Sequence, residues 1–342
     1  MLQVANHTPF SAALSVFADL EGVESAYATV KATFDLRPQE LLLARQQLPL
    51  LAADVFWGDP VTTSLRAAGE FALPKPATDI LLTGSAVADR PDTRMVDVSL
   101  RVGPVTKRLR VYGDRRWQRN GSKWQATQPQ PFERMPLRWE RAFGGIAAEQ
   151  PDGAPEYEPR NPVGRGFAAA AQDDFTDKPL PNLEDPAFPI ATPYDRPPPA
   201  CFAPVAPTWL PRRAHVGTYD DAWKNQRAPY LPLDFDPRYF QVAPLELIAP
   251  TYLVGGEPVE LSGCRADGPI RFSLPVCTLH LEFDFKGRQV PATPRLETVL
   301  FEPDHGRVQM LWRAGIQVDK HLLKLRQLNV RCEEYSLAAV EA

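Results

Sequence analysis

Thirty-seven prolines in 342 residues constrain this chain more than any other feature. That is roughly twice the usual proline share of about 5%. Proline lacks the backbone N–H that helix interiors and central sheet strands require, so much of the chain must run as loops and extended connections. Yet 44% of the residues are hydrophobic and 23% charged, a globular balance with material for a sizeable core. A chain of this length exceeds the usual single-domain size.

Between the proline-rich parts the periodicity is that of strands. Residues 25–36 place Ala26, Ala28, Val30, Ala32, Phe34 and Leu36 on one face and mostly polar residues on the other, the pattern of a half-buried strand. Val96, Val98, Leu100 and Val102 alternate with polar residues, turn at Gly103-Pro104, and continue through Val105, Leu109 and Val111 as a hairpin. Asn120-Gly121 marks a tight turn between Trp117 and Trp124. Near the C-terminal end, residues 279–285 alternate, residues 297–301 and 307–313 flank a turn at 303–306, and Leu328, Val330 and Cys332 make a last strand. Helical spacing occurs only in residues 319–327, with a weakly capped stretch at 39–53 as a second, short candidate.

The middle differs. Residues 193–211 alone hold seven prolines, and aromatic residues recur throughout, including Trp139, Phe143, Tyr157, Phe167, Trp209, Tyr219 and Trp223. A disordered linker is poor in aromatics, so this part reads as ordered irregular structure laid over a β core. The expected fold is mainly β: sandwich-like antiparallel sheets with long ordered loops rich in proline and aromatics, and few short helices. Three regions follow: an N-terminal β region over 1–130, the proline- and aromatic-rich segment over 131–245, and a C-terminal β region over 246–342. Whether the two β regions merge into one body is open at this level.

No catalytic constellation is legible. None of His7, His215, His280, His305 and His321 lies in an H-E-x-x-H spacing. There is no G-x-S-x-G elbow and no phosphate-binding Walker loop. The glycine groups at 144–145, 164–166 and 255–256 lack the strand-to-helix context of a phosphate cradle and suit turns. Adjacent acidic pairs, Asp173-Asp174, Asp220-Asp221 and Glu333-Glu334, point apart on extended chain and suit solvated surface or turn capping. These readings call for no cofactor and no metal.

Net charge is −4, which gives no global reason to expect nucleic acid. One stretch, 101–123, gathers Arg101, Lys107, Arg108, Arg110, Arg115, Arg116, Arg119 and Lys123 with Trp117 and Trp124, and reads as a solvated hairpin face balanced by acids elsewhere, a docking face for an acidic protein, or a stacking groove. The N-terminal ten residues lack the basic start and apolar run of a secretory signal, and no run of about 18 apolar residues suits a membrane span. Cys201, Cys264, Cys277 and Cys332 are scattered and read as reduced thiols, so the expected location is cytoplasmic.

Specific wording begins in the middle segment: PFERMPLRWERAFGG at 131–145, EPRNPVGRGF at 158–167, LPNLEDP at 180–186 and PTWLPRRAHVGTYDDAWKNQRAPYLPLDFDPRYFQVAP at 207–244. With FWGDP at 56–60 upstream and GGEPVEL at 255–261 downstream, this order resembles the bacterial domain of unknown function 2169 family over most of the chain. The resemblance implies an accessory role in type VI secretion: an adaptor or chaperone for the VgrG spike, its PAAR-like tip protein, or an effector attached to it, and not an enzyme. Partner-binding candidates are Arg138, Trp139, Arg141, Phe143, Arg160, Asn161, Trp209, Tyr219, Asp220, Trp223, Asp234 and Phe235, since aromatic and arginine anchors dominate binding hot spots. The same residue types also pack and pin irregular loops on their own core. Two alternatives remain. One is an enzyme acting on carbohydrate or peptidoglycan, with Asp220, Asp221 or Asp234 as carboxylates beside Tyr219 and Trp223. The other is a structural component exported with the spike.

Overall fold

The computed structural model describes residues 3–37, 41–147, 155–169 and 174–336. Its longest strands are those whose alternation is strongest. Glu24–Leu36 lies between Ser11–Ala18 and Arg307–Gln317, and Arg295–Glu302 and Asp79–Leu82 continue outward from there. With the short strand Leu41–Leu43 this makes a six-stranded sheet. A five-stranded sheet runs in the order Leu183–Glu184, Val105–Tyr112, Met95–Val102, Pro258–Ser262 and Ile270–Ser273. A four-stranded sheet follows the order Gln3–Asn6, Gln327–Ser336, Val276–Phe285 and Arg288–Ala292.

The protein is mainly β, and most strand pairs are antiparallel. Parallel pairs join Gln3–Asn6 to Gln327–Ser336, Asp79–Leu82 to Arg295–Glu302, and the short strands Phe143–Gly144 and Arg165–Gly166. Each large sheet combines strands from both ends of the chain: Ala32 pairs with Met310, and Leu100 with Leu261. One contiguous apolar core takes Val30, Leu82 and Phe301 from the first sheet, Leu100, Leu109 and Phe272 from the second, and Phe283 and Val330 from the third. The rings of Phe272 and Phe301 meet edge-on, 6.2 Å apart, across the first two sheets.

Two expectations need correction. The stretch from 41 onward forms no helix; Leu41–Leu43 is a strand, and residues 39 and 40 lie outside the described residues. The segment instead extends the ladder of Glu24–Leu36. The Gln47 side chain accepts from Thr33 N and donates to Thr33 O, at 2.8 and 2.9 Å, as a neighbouring strand's backbone would. Glu24–Leu36 is also buried on both faces, including Thr29, Lys31 and Thr33. Lys31 tolerates this because Nζ reaches both carboxylate oxygens of Glu70, at 2.9 and 2.7 Å.

The proline-rich middle packs into the same core. Ala200, Cys201, Phe202, Ala203, Val205 and Ala206 are all buried. Phe202 O accepts from Leu82 N at 3.2 Å, and Val205 N donates to Val242 O at 2.7 Å. Pro204 brings no N–H into this dry environment, so the segment carries one donor fewer that would need a partner. Its regular pieces are short: the α-helix Asp221–Gln226 and 3₁₀ turns at Trp139–Arg141, Arg212–His215, Pro237–Phe240 and Leu245–Leu247.

Candidate functional site

The twelve candidate residues separate into an internal frame and an outward loop. Trp139 is buried; its Nε1 donates to Ala203 O at 3.1 Å and Pro204 O at 2.9 Å, and its ring meets Trp209, also buried, edge-on at 6.1 Å. Asn161 is fully buried, and its Nδ2 donates to Trp139 O and Phe143 O at 2.8 and 2.9 Å. Phe143 is buried against Phe167, with ring centroids 6.4 Å apart. Gly144 is required here: its φ is +144°, and a Cβ would stand 2.2 Å from Asn161 O.

The arginines of the same words also serve this frame. Arg160 forks onto Glu158 at 2.6 and 2.7 Å. Arg141 reaches Asp114 at 3.1 Å and Asn182 Oδ1 at 3.2 Å. Arg138 lies 3.4 Å over the ring of Trp57, a cation–π contact. Burial lowers the Arg138 pKa from the usual guanidinium range.

Residues 217–235 are different in kind. Tyr219 is 49% exposed, Tyr230 42% and Leu233 87%, and the helix Asp221–Gln226 buries none of its residues. This apolar surface is nevertheless fixed in place. Asp220 caps the helix, accepting from Trp223 N at 2.8 Å. The Trp223 ring packs edge-on against Tyr219 at 4.6 Å, and its Nε1 donates to Tyr230 O at 2.8 Å. Asp234 accepts from the Thr218 N–H and hydroxyl at 3.0 and 2.7 Å, and these bonds hold its carboxyl below the usual carboxylate range. Arg227 ties the loop to the turn of the Ser11–Ala18/Glu24–Leu36 hairpin by donating to Leu20 O at 2.6 Å and Glu21 O at 3.1 Å. Phe235 is buried and joins the loop to Tyr239 and Phe240, with ring centroids 5.5 and 5.4 Å away.

Those two aromatics line a cleft of about 560 Å³ over the polar face of the six-stranded sheet. Its walls combine Leu48, Leu51, Leu300 and Leu311 with charged side chains in ion pairs. Lys31 meets Glu70 at 2.7 Å, Lys75 meets Asp79 at 2.6 Å, Arg307 meets Glu302 at 2.5 Å and Arg313 meets Glu297 at 3.0 Å. Burial pushes the Glu297 pKa up, against the pull of Arg313 and Lys75.

The carboxylates suggested for carbohydrate chemistry, Asp220 and Asp234, are engaged in holding the loop, and Asp221 is exposed in the first turn of its helix. Asp173 lies outside the described residues. Among the described residues no three His, Cys, Asp or Glu side chains gather as a metal site would. The basic stretch at 101–123 is dispersed: Lys107 pairs with Glu246 at 3.1 Å, Arg110 with Asp97 at 2.9 Å, and Arg115 with Glu184 in the interior. Among the described residues no helix is long and apolar enough to cross a membrane. Sequence reasoning missed Leu233, Tyr230 and Arg227 in the loop and the whole cleft. The proline at 232 and the Gly22 turn beneath Tyr230 were the available signals, and neither distinguishes an exposed apolar residue from a packed one.

A family model described as "Uncharacterized protein conserved in bacteria (DUF2169)" matches residues 21–313. No curated protein and no solved structure matches the chain.

Proposed function

We propose that this chain, which belongs to the DUF2169 family, is a protein-binding adaptor and chaperone of type VI secretion. In this reading it holds a PAAR-like tip protein or an effector in the cytoplasm and helps load it onto the VgrG spike. The observation that carries the reading is the outward loop 217–235. Tyr219, Tyr230 and Leu233 stay exposed although hydrogen bonds and ring contacts fix the backbone that carries them. An exposed apolar group on a pre-ordered loop loses little further entropy when a partner covers it, and aromatic anchors of this kind dominate binding energy.

Co-expression with the tip or effector protein encoded beside the gene tests this, with affinity capture and size-exclusion chromatography as readouts. A stable complex and a higher soluble yield of the partner are expected. Leu233→Ser should weaken that complex at unchanged thermal stability of the adaptor, and Tyr219→Ala should weaken it as well. Trp139→Ala would not serve, because it removes a buried frame residue. An equal partner yield with and without this chain, together with no complex, would refute the proposal.

A further inference from the structure

We infer that the cleft over the six-stranded sheet is a binding site for a small amphipathic monoanion, a carboxylate carried on an apolar body, with Arg212 as its charge contact. The reasoning starts from charge. Strands Glu24–Leu36, Arg295–Glu302 and Arg307–Gln317 turn Lys31, Glu302, Arg307 and Arg313 toward the cleft, and the segment above the sheet adds Glu70 and Lys75. Each of these four cations has a carboxylate within 3.0 Å, so together they leave no net charge. At the rim, exposed Arg66 and Asp54 offset one another in sign.

Arg212 is the exception. It is only 7% exposed, yet among the described residues no carboxylate forms an ion pair with it. Its Nε donates to Tyr239 O at 2.9 Å and its Nη1 to Val205 O at 2.7 Å. The Nη2 makes no hydrogen bond among the described residues, and Arg212 is one of the residues that line the cleft. A buried guanidinium bonded only to neutral carbonyls retains its full charge, and that charge is costly in a low-dielectric wall until an anion meets it. Asp54 and Asp79 act on Arg212 only through space, with no ion pair to it, so a carboxylate monoanion can supply the direct contact that Arg212 lacks. The carboxylate would take a charge-assisted bond from Nη2. Leu48, Leu51, Leu300, Leu311 and the rings of Tyr239 and Phe240 would cover the apolar body. The volume of about 560 Å³ lies within the range of about 300–1,000 Å³ usual for small-ligand sites.

Two sources present this chemistry, a free aliphatic acid and the C-terminal end of a peptide with apolar side chains. Calorimetric titration of the full chain with octanoate, octanamide, acetyl-Leu-Leu as the free acid, and its C-terminal amide separates them. One-site saturable binding of at least one acid, about tenfold or more tighter than its neutral counterpart, is the expected result. Octanoate alone would identify a free aliphatic acid, and the peptide acid alone a chain end. Leu51→Trp, which fills the cleft from its rim, should abolish the binding. Arg212→Gln should reduce acid binding about tenfold and leave the weak binding of the neutral compounds unchanged. The acid-against-amide comparison on the unaltered protein decides the matter even if Arg212→Gln folds poorly. No saturable binding of either acid, equal binding of acid and amide, undiminished binding by Leu51→Trp, or tighter binding of inorganic phosphate would overturn the inference.

Discussion

Asn161→Ala is the sharpest test of whether the signature words of the middle segment build the fold. The Asn161 amide donates to two carbonyls in an interior where water cannot replace it. Trp139 O keeps a second donor, Ala142 N at 3.0 Å, so its loss is that of one ordinary hydrogen bond, about 0.5–1.5 kcal/mol. Phe143 O is worse placed. The neighbouring ladder bonds run through Ala142 O and Gly144 O, so the amide is its donor, and an orphaned buried carbonyl costs about 1–3 kcal/mol. The two contributions add to about 1.5–4.5 kcal/mol. Collapse cannot recover much of this, because Gly144 and Gly164 already stand against the Asn161 side chain and have no side chains to move inward. With a urea slope of about 3 kcal/mol per M, the midpoint should fall by about 1 M. Leu233→Ser, at an exposed position of the outward loop, should shift stability by less than about 0.5 kcal/mol. Urea titration followed by tryptophan fluorescence measures both. A loss below about 1 kcal/mol for Asn161→Ala would refute the assignment of this residue to the frame.

Three further outcomes follow from the same structure. For Glu158, burial raises the pKa, but hydrogen bonds from the Arg160 side chain and backbone outweigh it, and the folded value lies below the ordinary one. The unfolded chain therefore binds the proton more readily: the stabilisation is complete above the unfolded value of about 4.3 and is lost as pH falls through the folded value. Urea midpoints between pH 6 and pH 3 should drop less steeply for Glu158→Gln than for the parent; identical slopes would contradict the pairing. Burial pushes the Cys201 and Cys264 thiols up to about 12. A thiol reagent at pH 8 should therefore spare both in the native protein and reach all four cysteines in urea, as counted by mass spectrometry; rapid native labelling of either would be the contrary result. Gly144→Ala should lower the melting temperature by about 10 °C or prevent soluble expression, since it adds a Cβ at φ +144° and 2.2 Å from Asn161 O; a thermal melt within about 2 °C of the parent would contradict it.

Local chemistry was legible and long-range chemistry was not. The turns at Gly103-Pro104, Asn120-Gly121 and 303–306 join strands as their residues suggest, because turn type and alternation are decided within a few positions. Lys31 falls on the polar face of a strand expected to be half-buried, and Lys107 and Arg115 in a basic stretch open to several readings, yet all three are buried. Their partners, Glu70, Glu246 and Glu184, lie tens of residues away or more, and no local pattern announces them. For the same reason the aromatic words could not be sorted. Trp139 stands beside Arg138 and Glu140, Tyr219 beside Asp220, each within five residues of a glycine, and only the folded chain shows that one faces Trp209 in the interior while the other faces solvent.

That division has a physical basis in the prolines with which the sequence began. A buried irregular segment must satisfy every carbonyl it carries, without a ladder to do so. Here side-chain donors from the signature words supply that need: Trp139 Nε1 reaches Ala203 O and Pro204 O, Arg212 reaches Val205 O and Tyr239 O, and Asn161 reaches Phe143 O. Proline reduces the donors to be matched, and indole, guanidinium and amide N–H groups donate to the carbonyl acceptors left over. Once the segment is fixed in this way, the loop that leaves it at 217 is held at its far end by Phe235 against Tyr239 and Phe240 and in its middle by Arg227 on the hairpin turn. Tyr219, Tyr230 and Leu233 are therefore displayed on a loop already ordered, and a partner that buries them gains apolar contact without first having to fold it. The frame residues matter to binding through that pre-ordering, so a frame substitution that leaves the chain folded should weaken partner binding through the loop's order and not through a lost contact.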